Sequence, residues 1–216
     1  MILSHRLEIL VATRNPGKIR EIQEALRFSP VKLRYLDEFP NVPPVDEVGR
    51  TYEENAVLKA VGYSRATGLC AVADDSGLEV DALGGIPGVF SARFGGDHAS
   101  DPERINKLLA ALSQHSDKKR TARFVCCMAL VGWQLKEETV NVGNPRLLKV
   151  TDGRCEGVIA HASRGTNGFG FDPVFVPAGY DATFAELPDE VKATISHRAL
   201  ALHAMRVFLD RLLAQT

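Results

Sequence analysis

The chain reads as an α/β protein built on a mixed sheet. Three observations predict this. Apolar runs of strand length stand at residues 7–12 and 69–73. Segments with apolar residues at helical spacing alternate with them. The middle of the chain, from about 122 to 161, is rich in β-type alternation. Helices interleaved with strands, plus one β-rich segment, give a sheet with helices packed on it.

Leu7-Glu8-Ile9-Leu10-Val11-Ala12 reads as a buried strand. Residues 18–28 read as a helix, because Ile19, Ile22 and Leu26 fall on one face. Residues 51–67 form another helix, and Thr51 and Glu54 have the spacing of a capping box at its start. The run Leu69-Cys70-Ala71-Val72-Ala73 reads as a strand that opens into a loop at Asp74-Asp75-Ser76-Gly77. Asp101-Pro102 has the form of an N-cap and first-turn proline, with Ile105, Leu108, Leu109 and Leu112 facing inward. Residues 122–133 form a long strand, and Phe124, Cys126, Met128 and Leu130 share one face. Two further strands are expected at about 138–143 and 154–161, after a polar connection at 114–121. The tail from 188 to 214 is helical with a break near Ser196.

The 216 residues, 45% hydrophobic and 25% charged, suffice for one substantial core or one domain with two lobes. A net charge of -1 gives no global field for a nucleic acid polymer or an anionic membrane. No apolar run approaches the roughly 18 residues that span a bilayer, and Met1–Arg6 lacks a signal-peptide core. The four cysteines form no CxxC pair, which argues against zinc and for reduced thiols in a cytoplasmic protein.

Five segments carry candidate chemistry. Asp74 and Asp75 end an apolar run, and carboxylates there are unfavourable unless a cation or a substrate proton meets them. A hard divalent ion such as Mg2+ suits them. Thr13-Arg14-Asn15-Pro16-Gly17-Lys18 joins the first strand to the first helix, where amide donors, the helix dipole and Lys18 suit an anion. An ordinary Asn-Pro-Gly turn accounts for the same composition. Asp46, just before the second helix, offers a remote carboxylate for a metal site shared with Asp75, while Glu54 has a sufficient role as a cap. In Gly168-Phe169-Gly170-Phe171-Asp172-Pro173, glycines let the backbone approach a flat ligand, and either ring can stack on a base or pack in the core. Lys192, His197 and Arg198 cluster about the helix break.

Taken in order, these segments resemble the inosine/xanthosine triphosphate pyrophosphatases, the Ham1-like house-cleaning nucleotidases. The carriers are T-x-N-x-x-K at 13–18, E-N-A-x-L-K-A at 54–60, and A-D-D-S-G-L-x-V-D-x-L-G-G-x-P-G-x-x-S-A-R-F at 73–94. G-F-G-F-D-P at 168–173 and E-x-K-x-x-I-S-H-R at 190–198 complete them. The resemblance implies an elongated mixed β-sheet flanked by helices, in two lobes with a central active-site cleft. It implies a cytoplasmic homodimer that, with Mg2+, hydrolyses ITP, dITP, XTP and dXTP to the monophosphate and pyrophosphate. By position it implies that Asp75 is the proton acceptor and, with Asp46, a metal ligand. It also implies that residues 13–18, Ser76, Phe169, Gly170, Phe171, Asp172, Lys192, His197 and Arg198 contact substrate. Asp46 stands where the family more often has Glu, and Phe171 where it has Tyr or Trp. The alternatives are a Maf-like pyrophosphatase acting on modified pyrimidine nucleotides and a nucleotide- or RNA-binding module using Lys18, Arg93 and Arg198 with the Gly-aromatic loop. A Nudix enzyme is disfavoured because its Glu-rich motif is missing from the sequence.

Overall fold

The computed structural model describes residues 7–96, 98–115, 120–133 and 144–214. Strand β1 (Leu7–Val11) lies between β2 (Val31–Tyr35) and β3 (Cys70–Val80) and is parallel to both. A parallel strand flanked on both sides is covered on both faces, which is why Ile9, Leu10 and Val11 are all apolar and all fully buried. Helix α1 (Pro16–Ala25) connects β1 to β2. It starts two residues earlier than its apolar periodicity suggests, because Pro16 takes the first-turn position and Asn15 is the cap. β2 was not legible as a strand. It is a sheet edge whose alternate positions are Lys32 and Arg34, each 2.6 Å from Glu8 of β1.

Helix α2 (Tyr52–Thr67) begins at the expected cap, where Thr51 Oγ1 accepts the Glu54 N–H at 3.1 Å. The Glu54 carboxylate accepts the Arg50 N–H at 2.6 Å. Gly68 ends the helix with φ 72°, a left-handed conformation that favours glycine. β3 corrects one expectation. The strand does not open into a loop at the acidic pair but runs through Asp74, Asp75, Ser76 and Gly77 to Val80. Lysines meet both carboxylates and offset part of the desolvation cost that made a loop the simpler reading.

Helix α3 (Asp101–Leu112) has Ser100 as its cap, so Asp101 is the first helical residue rather than the cap. β4 (Thr121–Gly132) matches the expected strand. β5 (Arg146–Ile159) begins well before the expected strand at 154–161, because Asp152, Arg154 and Glu156 on its exposed face interrupt the apolar pattern. The strand expected at 138–143 lies outside the described residues. A short strand β6 (Phe175–Pro177) pairs antiparallel with β5, completing the order β2-β1-β3-β4-β5-β6. The sheet is therefore mixed, as expected. α4 (Asp189–Ile195) and α5 (His197–Leu213) are separated by Ser196 in an extended conformation. Among the described residues no helix is long and apolar enough to cross a membrane.

The chain divides into two compact units. The first comprises Met1–Asp75, Cys127–Asp152 and Ala201–Thr216, and the second Ser76–Cys126 and Gly153–Leu200. Each has its own core. In the first unit Leu10, Leu36, Ala56, Ala60, Tyr63 and Val131 pack together. In the second, Leu78, Leu108, Phe124, Phe175 and Phe184 do so, and the Phe175 ring lies 4.7 Å from that of Phe124 and 5.3 Å from that of Phe184. Phe175 is fully buried. Phe175→Ala is expected to lower unfolding free energy by about 3–5 kcal/mol, the range for emptying a buried aromatic site, as measured by urea denaturation.

Candidate active site

The first unit gathers charge around the acidic pair. Asn15 fixes the loop that leads into α1. Its Oδ1 accepts the N–H groups of Gly17 and Lys18 at 2.9 and 3.1 Å, and its own N–H donates to Thr13 Oγ1 at 3.2 Å. The two amides expected to face an anion are thus occupied by the cap, while Thr13, Arg14, Asn15 and Pro16 remain accessible to solvent. Arg14 donates to the Val42 carbonyl at 3.1 Å. Lys18, on the first turn of α1, places its ammonium 3.0 Å from Asp74 Oδ2, and that carboxylate is fully buried.

Asp75 is held from α2. The Asn55 amide donates to Asp75 Oδ2 at 3.0 Å, and the Lys59 ammonium lies 3.6 Å from Oδ1. Asn55 and Lys59 are four residues apart, so they project from one helical face, in line with the buried Ala56, Ala60 and Tyr63. Asn55 is itself oriented, since its Oδ1 accepts the Gly49 N–H at 2.8 Å. A Cβ on Gly49 would come within 2.7 Å of that oxygen, so this close approach needs glycine. No role was read for Asn55 and Lys59 in the sequence. The available signal was two polar residues at i and i+4 inside an otherwise apolar stripe.

Lys59 also reaches Glu47 Oε1 at 3.1 Å. Here the structure departs from the sequence reading. Asp46 is exposed, while its neighbour Glu47 shares a lysine with Asp75. Burial pushes the Asp75 carboxyl above its ordinary range, Lys59 and Asn55 pull it back, and Glu47 adds to the rise. Burial pulls Lys59 down, but Asp74, Asp75 and Glu47 outweigh it and hold the amine protonated. Among the described residues no three acidic, His or Cys side chains close on one point as a ready metal cage. The donor chemistry still suits a hard divalent ion. Asp74, Asp75 and Glu47 offer hard oxygen donors beside Lys18 and Lys59.

The second unit gathers groups suited to an aromatic ligand. Arg198, the second residue of α5, is 2% exposed and donates to Ser76 Oγ at 2.7 Å. Its guanidinium lies 5.6 Å from the centre of the Phe169 ring, and the Lys192 ammonium lies 4.9 Å from it. Lys192 is paired with Asp172 Oδ2 at 2.6 Å, and the same oxygen accepts the Phe169 N–H at 2.9 Å. Lys192 and Asp172 are both buried, so their direct effect is to hold the loop that carries Phe169. Phe169 is half-buried, whereas Phe171 is buried in the core against Phe94. His197 is also buried, stacked on Phe124 at 4.7 Å with an interplanar angle of 10°.

A family model described as the Ham1 family matches residues 9–208. A dITP/XTP pyrophosphatase of Geobacter sulfurreducens is 46% identical over 198 residues, covering 92% of this chain and 94% of that protein. One of Bacillus anthracis is 41% identical over 198 residues, with 92% and 94% covered. The solved structure of a HAM1 protein from Coxiella burnetii superposes with a TM-score of 0.82 at 42% identity, covering 97% of this chain and all of that one.

Lys59→Met removes the cation shared by Glu47 and Asp75. In chelator-treated protein it is expected to lower stability by about 3–5 kcal/mol at neutral pH, as when one partner of a buried pair is lost. The sign with pH follows from both shifts. The raised Lys59 value makes its contribution complete below 10.5 and lost as pH rises through the folded value. The raised Asp75 value makes the ionised carboxylate unfavourable above that value, and the effect vanishes below 3.8. Urea unfolding across pH should therefore show the gap between variant and parent narrowing in acid and in strong alkali.

Proposed function

The chain belongs to the Ham1 family, and on that footing we propose that it hydrolyses deaminated purine nucleoside triphosphates, dITP and XTP with ITP and dXTP, to the monophosphate and pyrophosphate. The observation that carries the reading is Asp75, a buried carboxylate held by Asn55 and Lys59 and followed directly by the Arg198-bound Ser76.

In this reading the loop at 13–18 and Lys18 receive the terminal phosphates. Asp75, its basicity raised by burial, orients the attacking water and takes its proton. Mg2+ would be held by Asp75 and Glu47, with Asp74 nearby, and would neutralise charge on oxygens about the α–β bridge. Positioning and charge complementarity then supply most of the rate. Phe169 stacks on the base, a contact typically worth about 1–3 kcal/mol. Arg198 offers donors only, which suits the 6-oxo edge of hypoxanthine or xanthine and leaves donors unpaired against the 6-amino group of adenine. Such mismatches reject a substrate by about 10⁴-fold. The buried, unbridged cysteines support a cytoplasmic setting, and the family resemblance supports a homodimer.

Pyrophosphate release from dITP, XTP, ITP, GTP and ATP, each with and without Mg2+, tests the reading. Metal-dependent turnover of the first three, with ATP slower by about 10³-fold or more, is the expected result. Uniform or absent turnover overturns it. Asp75→Asn is expected to lower kcat by about 10²–10⁴-fold with the fold retained by circular dichroism. Arg198→Ala is expected to narrow the ITP-to-ATP ratio, and an unchanged ratio would remove Arg198 from base selection.

A further inference from the structure

The aromatic loop in the second unit is not held by Asp172 alone. Gly168 and Gly170 flank Phe169 with φ of +76° and +62°, conformations in which the local backbone gives little rigidity of its own. Two carboxylates clamp this stretch. Asp172 takes the Phe169 N–H. The other comes from 69 residues away: Asp101 Oδ2 accepts the Gly170 N–H at 2.6 Å. A Cβ on Gly170 would meet nothing within 4 Å, so glycine serves there for its backbone conformation rather than for space.

Asp101 is not needed to cap its own helix. That role belongs to Ser100 and Glu103, whose carboxylate accepts the Ser100 N–H at 2.7 Å. The remaining Asp101 oxygen, Oδ1, is fixed by Arg104 at 2.7 Å, one turn along α3. The carboxylate is thus aimed by a helix and spends its second oxygen on the loop. The residue on the far side of the bonded amide is Phe169, whose ring is flanked by Lys192 and Arg198.

We infer that Asp101 is a positioning residue for base recognition: by holding the Gly170 amide it fixes the angle at which Phe169 meets the purine. The inference rests on the proposed function for its substrate, and on the hydrogen bond for its geometry. Asp101 touches neither the phosphates nor the acidic cluster in this scheme, so its loss falls on KM rather than on kcat.

The experiment compares Asp101→Ala, Asp101→Asn and Arg104→Ala with the parent protein, reading KM and kcat for ITP and amide hydrogen exchange over residues 168–172. Asp101→Ala is expected to raise KM about tenfold, with kcat held within about twofold, and to speed Gly170 exchange about tenfold, the scale of one charge-assisted hydrogen bond. Asp101→Asn keeps an acceptor and should stay within about threefold of the parent in KM. Arg104→Ala keeps the Gly170 acceptor but frees the other Asp101 oxygen, and should fall between the parent and Asp101→Ala in both KM and exchange. Unchanged Gly170 exchange in Asp101→Ala overturns the inference. So does a loss confined to kcat, or equal impairment of all three variants, which would mark a purely helix-stabilising role. The exchange measurement needs no turnover. If the parent hydrolyses no deaminated purine triphosphate while Asp101→Ala still speeds exchange, the proposed function fails and the clamp stands.

Discussion

The structure depends on keeping two adjacent carboxylates buried in an unbroken strand. Taking a carboxylate out of water costs several kcal/mol even after relaxation, whereas β-propensities span only about 1 kcal/mol. Local preference therefore cannot keep Asp74 and Asp75 inside β3. Counter-charge does: Lys18 on α1 meets Asp74, and Lys59 on α2 meets Asp75. Side chains at neighbouring strand positions face opposite sides, and here each carboxylate finds its lysine on a different helix. The starts of both helices are fixed by side-chain caps, Asn15 for α1 and Thr51 for α2. A displaced cap would carry its lysine away from the acid it neutralises.

This arrangement also sets the chemistry. A carboxylate fully balanced by a lysine would be a weak base. Asp75 escapes that fate because burial and Glu47 oppose the effect of Lys59 and Asn55. The Asp75 carboxyl therefore stays above its ordinary range even with Lys59 beside it. Asp74 differs: its Oδ2 is matched to Lys18 at 3.0 Å in a fully buried position, which suits it to holding the strand and the loop at 13–18 together.

The second unit applies the same rule to a different end. Its buried cations, Lys192 and Arg198, are each tied to a polar side chain, Asp172 and Ser76, and both sit near the Phe169 ring. Gly168 permits this, because a Cβ there would collide with the Asp172 carboxylate, and its φ of +76° favours glycine in any case. The charges thus flank a half-buried ring at the edge of the aromatic core.

Much of the fold was legible in the sequence, and for identifiable reasons. α2, β4 and the break at Ser196 announce themselves through caps, apolar period and an interrupted helix. β2 and the first half of β5 did not, because edge and half-exposed strands carry charged residues that erase the apolar signal. The order of five motifs sufficed to place the chain in its family. Tertiary structure alone showed that Glu47 shares Lys59 with Asp75, and which ring stays outside the core, Phe169 rather than Phe171. It alone revealed Asn55, Lys59 and Asp101 as the groups that aim the others. A sequence fixes which chemical groups are available and, through periodicity, which face of an element they occupy. Which of two neighbours meets a partner tens of residues away depends on packing distances of a few ångströms, and those exist only once the chain has folded.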